Sequence, residues 1–212
     1  MLEAAGLECV RGERTLFSRL DFRVEPGTLL RVAGPNGTGK TSLLKLVCGL
    51  LSPAAGEIRW QGENIRRLHE EYRRHLLYLG HLPAVKDDLT VLENLHVACA
   101  VAGRPVTDAA ARAALAELGL DGFEDTHARF LSQGQRRRIG LARLFVSGAA
   151  RLWVLDEPFT ALDVHGVARL TALVGSHVSA GNMVMLTTHQ EAAIAAPRTE
   201  VVELGPRRPP AC

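Results

Sequence analysis

Cysteine is scarce in this sequence: there are four, and no two of them lie close together along the chain. Wide separation excludes the paired spacing of a structural zinc site and a disulfide framework, and it is typical of a reducing compartment. We therefore interpret the cysteines as small buried apolar side chains plus a free thiol in the C-terminal tail. They are Cys9, Cys48, Cys99 and Cys212.

Long apolar runs are also missing. Spanning a bilayer takes about 20 consecutive apolar residues, and no run in this sequence approaches that length. The first residues, Met1-Leu2-Glu3-Ala4, lack the basic segment and the long apolar core of a signal peptide. These two absences predict a cytosolic chain, which can still dock on a membrane component.

The sequence also lacks an excess of charge of either sign. The formal net charge is +2 over 212 residues, which gives no electrostatic case for nucleic acid as the main partner. Apolar residues make up 47% of the chain and charged residues 23%, as in ordinary globular proteins. This length accommodates one sizeable α/β domain, with or without a subdomain.

What the sequence does contain is a glycine-rich stretch, Gly34-Pro35-Asn36-Gly37-Thr38-Gly39-Lys40-Thr41, which fits the phosphate-binding pattern G-x-x-x-x-G-K-[ST]. A buried-looking strand precedes it and an apolar helical pattern follows, which is the context that this P-loop motif requires. The glycines let backbone N–H groups surround phosphate oxygens, and Lys40 would reach the β- and γ-phosphates. Thr41 would ligate Mg²⁺. The alternative is a glycine-rich turn that matches by chance.

The order of predicted elements indicates an α/β fold. Strands are predicted at 7–10, 20–24, 28–33, 56–62, 76–79, 152–155, 183–187 and 201–204, and helices at 91–101, 108–118, 132–143, 164–179 and shortly after His189. Strands and P-loop, then helices, then alternating strand and helix predict a mainly parallel P-loop NTPase core carrying an inserted helical subdomain. The predicted core is 1–82 with 151–205, the helical subdomain is 83–150, and 206–212 is a loose tail.

A second group of candidate residues follows the apolar strand at 152–155. Asp156 at the strand's end would complete the Mg²⁺ shell beside Thr41. Glu157 would then lie where an attacking water must be polarised, as a general base. The alternative is an ordinary pair of acids that ends a strand.

A third candidate is the start of the helix near residue 132, within Leu131-Ser132-Gln133-Gly134-Gln135. Ser132 is placed as its N-cap and Gly134 where backbone must come close, so this helix N-terminus is a second candidate anion site. The alternative is a capped helix on which Arg136, Arg137 and Arg138 form a solvated face.

With these motifs in this order, the chain resembles the nucleotide-binding subunits of ABC transporters over nearly its whole length. Residues 131–135 resemble the LSGGQ signature of that family, with Gln133 replacing a glycine. Residues 34–41 resemble its Walker A motif, and 152–157 its Walker B motif with the catalytic Glu157. Asp163 resembles the D-loop aspartate, and His189 resembles the switch histidine that contacts the γ-phosphate.

The resemblance implies a fold and a mechanism. It implies an N-terminal antiparallel β portion beside the core, with ATP and Mg²⁺ as cofactors. Two copies would form a head-to-tail homodimer, in which each ATP lies between Lys40 of one subunit and Ser132, Gln133, Gly134 and Gln135 of the other. Glu157 would polarise the attacking water, and His189 would hold that water against the γ-phosphate.

Two positions depart from the family pattern. Arg11 stands where an aromatic usually stacks on adenine; a guanidinium can also stack on a base, and weak adenine selectivity is the alternative. His81 stands in place of the Q-loop glutamine. A neutral imidazole can ligate the metal or orient water, and the alternative is a histidine on a loop surface.

Within the family, the likeness is greatest to the ATPase subunits of the haem exporters of bacterial cytochrome c maturation. It rests on strings such as Leu79-Gly-His-Leu-Pro83, Leu92-Glu-Asn-Leu-His96 and Asp156-Glu-Pro-Phe-Thr-Ala-Leu-Asp163. It implies two integral membrane permease subunits docked near 81–94, and a peripheral location on the cytoplasmic face of the inner membrane. Turnover would drive haem delivery or release of a haem-loaded carrier, with no direct contact between this chain and haem.

Three other functions are compatible with parts of the sequence. One is an ABC transporter ATPase for a different cargo, such as a lipid, a drug or a metal complex. Another is a soluble ABC ATPase that acts on nucleic acid or ribosomes, against which the near-neutral charge argues. The third is a P-loop kinase for a small molecule, against which the signature segment and His189 argue.

Overall fold

Two β-sheets of different character organise the chain, which this computed structural model describes over residues 1–148, 150–190 and 192–205. The first sheet is antiparallel, with strands in the order β2-β1-β4-β5. Its strands are β1 (Leu2–Arg11), β2 (Arg14–Val24), β4 (Ala55–Trp60) and β5 (Glu63–Asn64). This sheet is the antiparallel β portion that the family resemblance implied.

The second sheet pairs its strands in parallel, in the order β6-β7-β8-β3-β9. Its strands are β3 (Thr28–Ala33), β6 (Leu76–Leu79), β7 (Leu152–Asp156), β8 (Met183–Thr187) and β9 (Arg198–Glu203). Because parallel strands need crossover connections, helices cover this sheet, and its central strands are buried apolar runs. The α/β fold class with a mainly parallel sheet is thereby confirmed.

The helices are α1 (Lys40–Val47), α2 (Ile65–Leu68), α3 (Glu70–His75), α4 (Val91–Val101), α5 (Asp108–Ala116), α6 (Gln133–Phe145) and α7 (Val164–Ser179). Side chains along β7 alternate between two apolar clusters. Trp153 and Leu155 pack in the cluster that contains α4 to α7. Leu152 and Val154 pack in the cluster that contains α1 and the antiparallel sheet. The parallel sheet therefore lies between the helical region and the N-terminal sheet.

The strand order fixes where the candidate site lies. β8 stands between β3 and β7, and the three strands run in the same direction. Their carboxyl ends therefore meet at one edge, which is where open α/β sheets bind ligands. The P-loop follows β3, the acid pair lies at the end of β7, and Thr187 ends β8.

Most predicted elements are present, with shifted ends. The helices at 91–101 and 164–179 and the strands at 76–79 and 183–187 match the prediction. The helix predicted shortly after His189 is wrong, because residues 192–197 contain no helix. Pro197 disfavours helical backbone at the residue before it, and too few residues remain for a stable helix. The short helices α2 and α3 were not predicted.

Helices α4, α5 and α6 lie within 83–150, and the treatment of this stretch as a subdomain stays a prediction. Cys9, Cys48 and Cys99 are buried free thiols, as expected. Cys212 and the predicted loose tail at 206–212 lie outside the described residues. Within the described part of the chain, no helix has the length and apolarity needed to cross a membrane.

Candidate functional site

The glycines of the P-loop adopt backbone angles that other residues avoid. Gly34 has a φ of 139° and Gly39 a φ of 103°. A Cβ atom on Gly34 would lie 2.2 Å from the carbonyl oxygen of Leu204, so only glycine fits there. Gly39 is the N-cap of α1 and offers no side chain to cap it, which leaves first-turn N–H groups of α1 for an anionic ligand.

Lys40 lies across this loop. Its Nζ donates hydrogen bonds to the carbonyl oxygens of Gly34, at 2.7 Å, and Pro35, at 3.2 Å. The side-chain oxygen of Asn36 is 3.5 Å away. These oxygens hold the ammonium group at the loop.

Asp156 joins the P-loop helix to the neighbouring strand. One carboxylate oxygen, Oδ2, accepts a hydrogen bond of 2.8 Å from Thr41 Oγ1. The other, Oδ1, accepts one of 2.7 Å from Thr187 Oγ1. Asp156 is 2% exposed, so this carboxylate is held almost entirely by protein groups. A hydroxyl and a carboxylate side by side are the oxygen ligands that Mg²⁺ prefers, so these residues fit the metal.

Glu157 has a φ of 51°, a backbone conformation that costs a non-glycine residue about 1–3 kcal/mol. Its N–H donates to Thr187 Oγ1 at 3.0 Å, and its Oε2 accepts from the His189 N–H at 3.2 Å. Its Oε1 lies 3.6 Å from His189 Nε2, which is beyond hydrogen-bond length. Oε1 is buried and accepts no hydrogen bond from the part of the chain that the structure describes, so the carboxylate keeps acceptor capacity there while its position is fixed.

These groups line one cleft of about 620 Å³ at the carboxyl edge of the parallel sheet. Its lining residues are Leu16, Asn36, Gly37, Gly39, Lys40, Thr41, Ser42, His81, Asp156, Glu157, Thr160, His189 and Gln190. His81 thus lies in the cleft with the P-loop and the acid pair. Arg11 is exposed at the end of β1 and, among the described residues, Leu16 reaches the cleft from that hairpin instead. Stacking of Arg11 on a base stays a prediction.

The signature segment, residues 131–135, forms a helix start as predicted. Ser132 Oγ accepts from the Gln135 N–H at 3.2 Å, and Gln135 Oε1 accepts from the Ser132 N–H at 2.9 Å. This capping box begins α6, with Ser132 and Gln133 exposed. The segment lies outside the cleft of its own chain; Gln133 and His81 line a separate hollow of about 290 Å³.

Asp163 also caps a helix, α7, where its Oδ1 accepts from the Gly166 N–H at 2.7 Å.

The alternative interpretation of residues 136–138 as a solvated face is wrong for Arg137, which is 8% exposed. Sequence analysis missed Arg137 and Thr187, both of which form hydrogen bonds with Asp156 and Glu157. A sequence feature could have identified Thr187, since it ends a buried apolar strand as Asp156 does.

Burial sets the protonation of two groups beneath the cleft. It raises the pKa of Tyr78 to about 12, with smaller contributions from Cys48 and Asp156. Burial, and then the charge of Asp156, raise the pKa of the Cys48 thiol. Both side chains are therefore neutral at pH 7 and add no charge beside Asp156.

Comparison with known proteins extends these observations. The sequence model of the family described as "ABC transporter" matches residues 17–160. A protein of Aromatoleum aromaticum named cytochrome c biogenesis ATP-binding export protein CcmA is 56% identical over 199 residues, which cover 94% of this chain and 93% of the relative. Proteins of the same name are 54% identical in Nitrosomonas europaea, covering 90% of this chain and 89% of the relative, and 53% identical in Salmonella typhi, covering 90% of each.

Solved structures give the same fold. An ATP-binding subunit of an ABC transporter superposes with a TM-score of 0.78 at 25% identity, covering 89% of this chain and 79% of that one. A dimeric bacterial ABC transporter cassette superposes with a TM-score of 0.82 over 98% of this chain and 97% of that one. At 21% identity, this second likeness shows the fold alone.

Proposed function

The chain belongs to the ABC transporter family, and on that premise we propose that it is the ATP-hydrolysing motor subunit of the haem exporter of cytochrome c biogenesis. The observation that carries the pathway is its 56% identity, over 94% of its length, to a cytochrome c biogenesis export protein. The observation that supports hydrolysis is the cleft, in which P-loop, acid pair and His189 meet. The fold alone would not fix the cargo.

ATP binding is assigned to the P-loop edge of the cleft. The N–H groups of residues 34–41 and the start of α1 would surround the phosphates, and Lys40 would exchange its carbonyl partners for β- and γ-phosphate oxygens. Thr41 and Asp156 would hold Mg²⁺, with His81, which lines the same cleft, as a further candidate ligand. When bound, Mg²⁺ neutralises charge on the phosphate oxygens.

Hydrolysis is assigned to Glu157 and His189. Glu157 would accept a proton from water as the water oxygen attacks the γ-phosphorus, and ADP would leave. Oε1 of its carboxylate is buried and has no hydrogen-bond partner among the described residues, and Oε2 is held by the His189 N–H. The His189 side chain is 60% exposed at the rim, where it could hold that water against the γ-phosphate.

A second copy of the chain would complete each site. Ser132, Gln133, Gly134 and Gln135 lie at the exposed start of α6, outside the cleft that contains Lys40. A helix N-terminus in that position can meet the γ-phosphate of another subunit's ATP. We therefore propose a head-to-tail homodimer with two ATP molecules between the subunits, to which Asp163 contributes from the segment before α7. Such closure would gate hydrolysis.

The membrane partners are assigned to another face. An open hollow of about 680 Å³ runs between α3, β6 and α4 and includes Leu50, Val97 and Val101. These three side chains are exposed apolar groups, with Val101 85% exposed. Exposed apolar groups clustered in a hollow favour a protein partner. We propose that integral permease subunits dock here, beside residues 81–94, and hold the chain on the cytoplasmic face of the inner membrane.

Direct haem contact is not part of the proposal, because the candidate histidines have different surroundings in the fold. His75 stacks on Trp60, and His96 lies 3.0 Å from Asp108. His127 Nδ1 is 3.1 Å from the carbonyl of Asp88, and His81 lies in the nucleotide cleft. The cargo would then be handled by the membrane subunits.

The experiment is complementation of a deletion strain, scored for c-type cytochromes by haem staining. We expect loss of all c-type haem, restored by the wild-type gene and not by Lys40→Ala, with both proteins present at equal levels. Normal cytochromes c in the deletion strain, with no second gene copy, would contradict the assigned pathway and leave an ABC ATPase for another cargo.

A further inference from the structure

We propose that Arg137 is a positioning residue for ATP hydrolysis: its buried guanidinium fixes the backbone of Glu157 and ties it to the helix that carries the signature segment. The inference rests on the proposed hydrolysis at Glu157. Among the described residues, the hydrogen bonds of the Arg137 guanidinium go to backbone carbonyls after β6 and at the end of β7, and not to the P-loop, so we expect its main effect on turnover, through Glu157.

The guanidinium joins the ends of two parallel strands. Nη1 donates to the carbonyl oxygens of Gly80, at 2.5 Å, and His81, at 2.7 Å. Nη2 donates to those of Asp156, at 2.7 Å, and Glu157, at 3.0 Å. One side chain from α6 therefore holds the backbone after β6 and the backbone after β7 at the same time.

The position is built for a cation. Burial lowers the pKa of Arg137, while the charges of Asp156 and Glu157 oppose that shift. An arginine stays protonated in proteins, so the charge is retained under the floor of the cleft. A buried charge is tolerated only when hydrogen-bonded, and here four carbonyl oxygens supply the bonds. Losing the guanidinium would remove a donor from each of these carbonyl oxygens, although that of Glu157 would keep the Thr160 N–H.

The backbone of Glu157 needs such support. Its φ of 51° is a conformation that persists only where surrounding contacts enforce it. Three contacts flank it: Thr187 Oγ1 on the N–H side at 3.0 Å, and, on the carbonyl side, Arg137 at 3.0 Å and the Thr160 N–H at 3.2 Å. Without Arg137, the peptide after Glu157 could rotate toward ordinary angles and carry the carboxylate away from His189.

The same side chain links this geometry to the partner's nucleotide. Arg137 lies in the second turn of α6, whose first residues form the signature segment. A shift of α6 on contact with a second subunit would be passed to the peptide of Glu157 through one guanidinium. The loop at His81 would follow, because it is held by the other nitrogen of the same group.

Only a planar fork can make this set of bonds. Arginine offers parallel donors on two nitrogens, whereas lysine presents a single ammonium on a flexible stem. Arg137→Lys should therefore keep the charge and form hydrogen bonds at one of the two strand ends. Arg137→Met should lose the charge and the hydrogen bonds at both strand ends. A matched control is Arg138→Met, from the adjacent residue of α6, whose Nη1 donates to Leu118 at 3.0 Å, away from the cleft.

The test measures kcat, KM and the affinity for a fluorescent ATP analogue on the full-length chain, with kcat scaled to the fraction that binds nucleotide. We expect Arg137→Met to lower kcat about tenfold or more, while KM and affinity stay within about threefold of wild type. Arg137→Lys should fall between wild type and Arg137→Met. Scaling to the binding fraction removes losses that arise from misfolding alone.

Two results would overturn this inference and leave the proposed function standing. One is a kcat within about twofold of wild type in Arg137→Lys and, where it folds, in Arg137→Met. The other is a loss of kcat in Arg138→Met equal to that in Arg137→Met. If Arg137→Met does not fold, Arg137→Lys decides by the same limits. If the wild-type protein shows no ATP turnover, or if its turnover is unchanged in Lys40→Ala, the proposed function is overturned and this inference with it.

Discussion

Thr187 Oγ1 donates a hydrogen bond of 2.7 Å to Oδ1 of Asp156, between two adjacent parallel strands. The same oxygen accepts from the Glu157 N–H at 3.0 Å. One buried hydroxyl therefore orients the carboxylate that faces Thr41 and the peptide that begins Glu157. The Thr187 side chain is 0% exposed, so water cannot replace it without rearrangement.

Thr187→Val tests the contribution of this hydroxyl, because valine keeps the shape of the side chain and cannot form its two hydrogen bonds. We expect the variant to lose about 1–3 kcal/mol of unfolding free energy from the unsatisfied buried groups, and ATP turnover to fall. Chemical denaturation and steady-state ATP hydrolysis measure the two effects. Thr28→Val is the matched control: Thr28 is also 0% exposed, and its Oγ1 has no hydrogen-bond partner among the described residues. Equal stability losses in both variants would contradict the assigned role.

Lys40→Ala should abolish or strongly weaken nucleotide binding. Loss of the ammonium removes its charge-assisted contacts with phosphate, for which we expect an affinity loss of about tenfold or more. Titration with a fluorescent ATP analogue measures it. Lys45→Ala, at the other end of α1 and outside the cleft, is the control and should bind normally. Unchanged affinity in Lys40→Ala would count against the phosphate cradle.

Two P-loop glycines should respond differently to alanine. At Gly34 the added Cβ would meet the Leu204 carbonyl oxygen at 2.2 Å, and this backbone must move. At Gly37, where φ is 80°, the added Cβ would meet nothing within 4 Å. We expect Gly37→Ala to cost about 1–3 kcal/mol from backbone strain alone, and Gly34→Ala to cost more. Thermal denaturation of the two variants decides the order, and a more stable Gly34→Ala would refute this packing.

His177 should make stability fall in mild acid. The imidazole stacks on Trp153, with centroids 3.6 Å apart, and burial lowers its pKa from 6.5 to about 4. Above pH 6.5 the group is neutral in both states, so its effect on stability is absent there. As pH falls from 6.5 toward 4, the unfolded chain binds the proton first, and folding stability is lost.

Comparison of unfolding free energies at pH 8 and pH 5.5 tests this effect. The decrease should be smaller in His177→Phe, which keeps the stacked ring and cannot titrate. His165→Gln, an exposed histidine of the same helix, is the control and should keep the wild-type decrease. Identical pH dependence in wild type and His177→Phe would show that His177 is not the group responsible.

Sequence patterns predict the parts of a site that lie within one continuous stretch of the chain. The P-loop, the acid pair after β7 and the capped start of α6 were predictable because each is one continuous stretch whose chemistry depends on its own spacing. The partnership of Thr187 with Asp156 was not, because it depends on β8 lying between β3 and β7, and strand order is a long-range property.

Arg137 illustrates the same limit. Three consecutive arginines on a helix indicate a polar face, and only tertiary packing decides which one turns inward. The first hairpin gives another case, since its sequence did not indicate that Leu16 would line the cleft. The helix predicted after His189 failed because Pro197 disfavours helical backbone before it and because the distance to β9 is short.

The most direct test of the account is Glu157→Gln, assayed for ATP binding and for ATP turnover in the same preparation. The amide keeps the size of the side chain and cannot accept a proton, so we expect binding to persist and turnover to fall about 100-fold or more. That result would establish the cleft as a hydrolytic site with Glu157 as its base. Near-normal turnover in Glu157→Gln would contradict it.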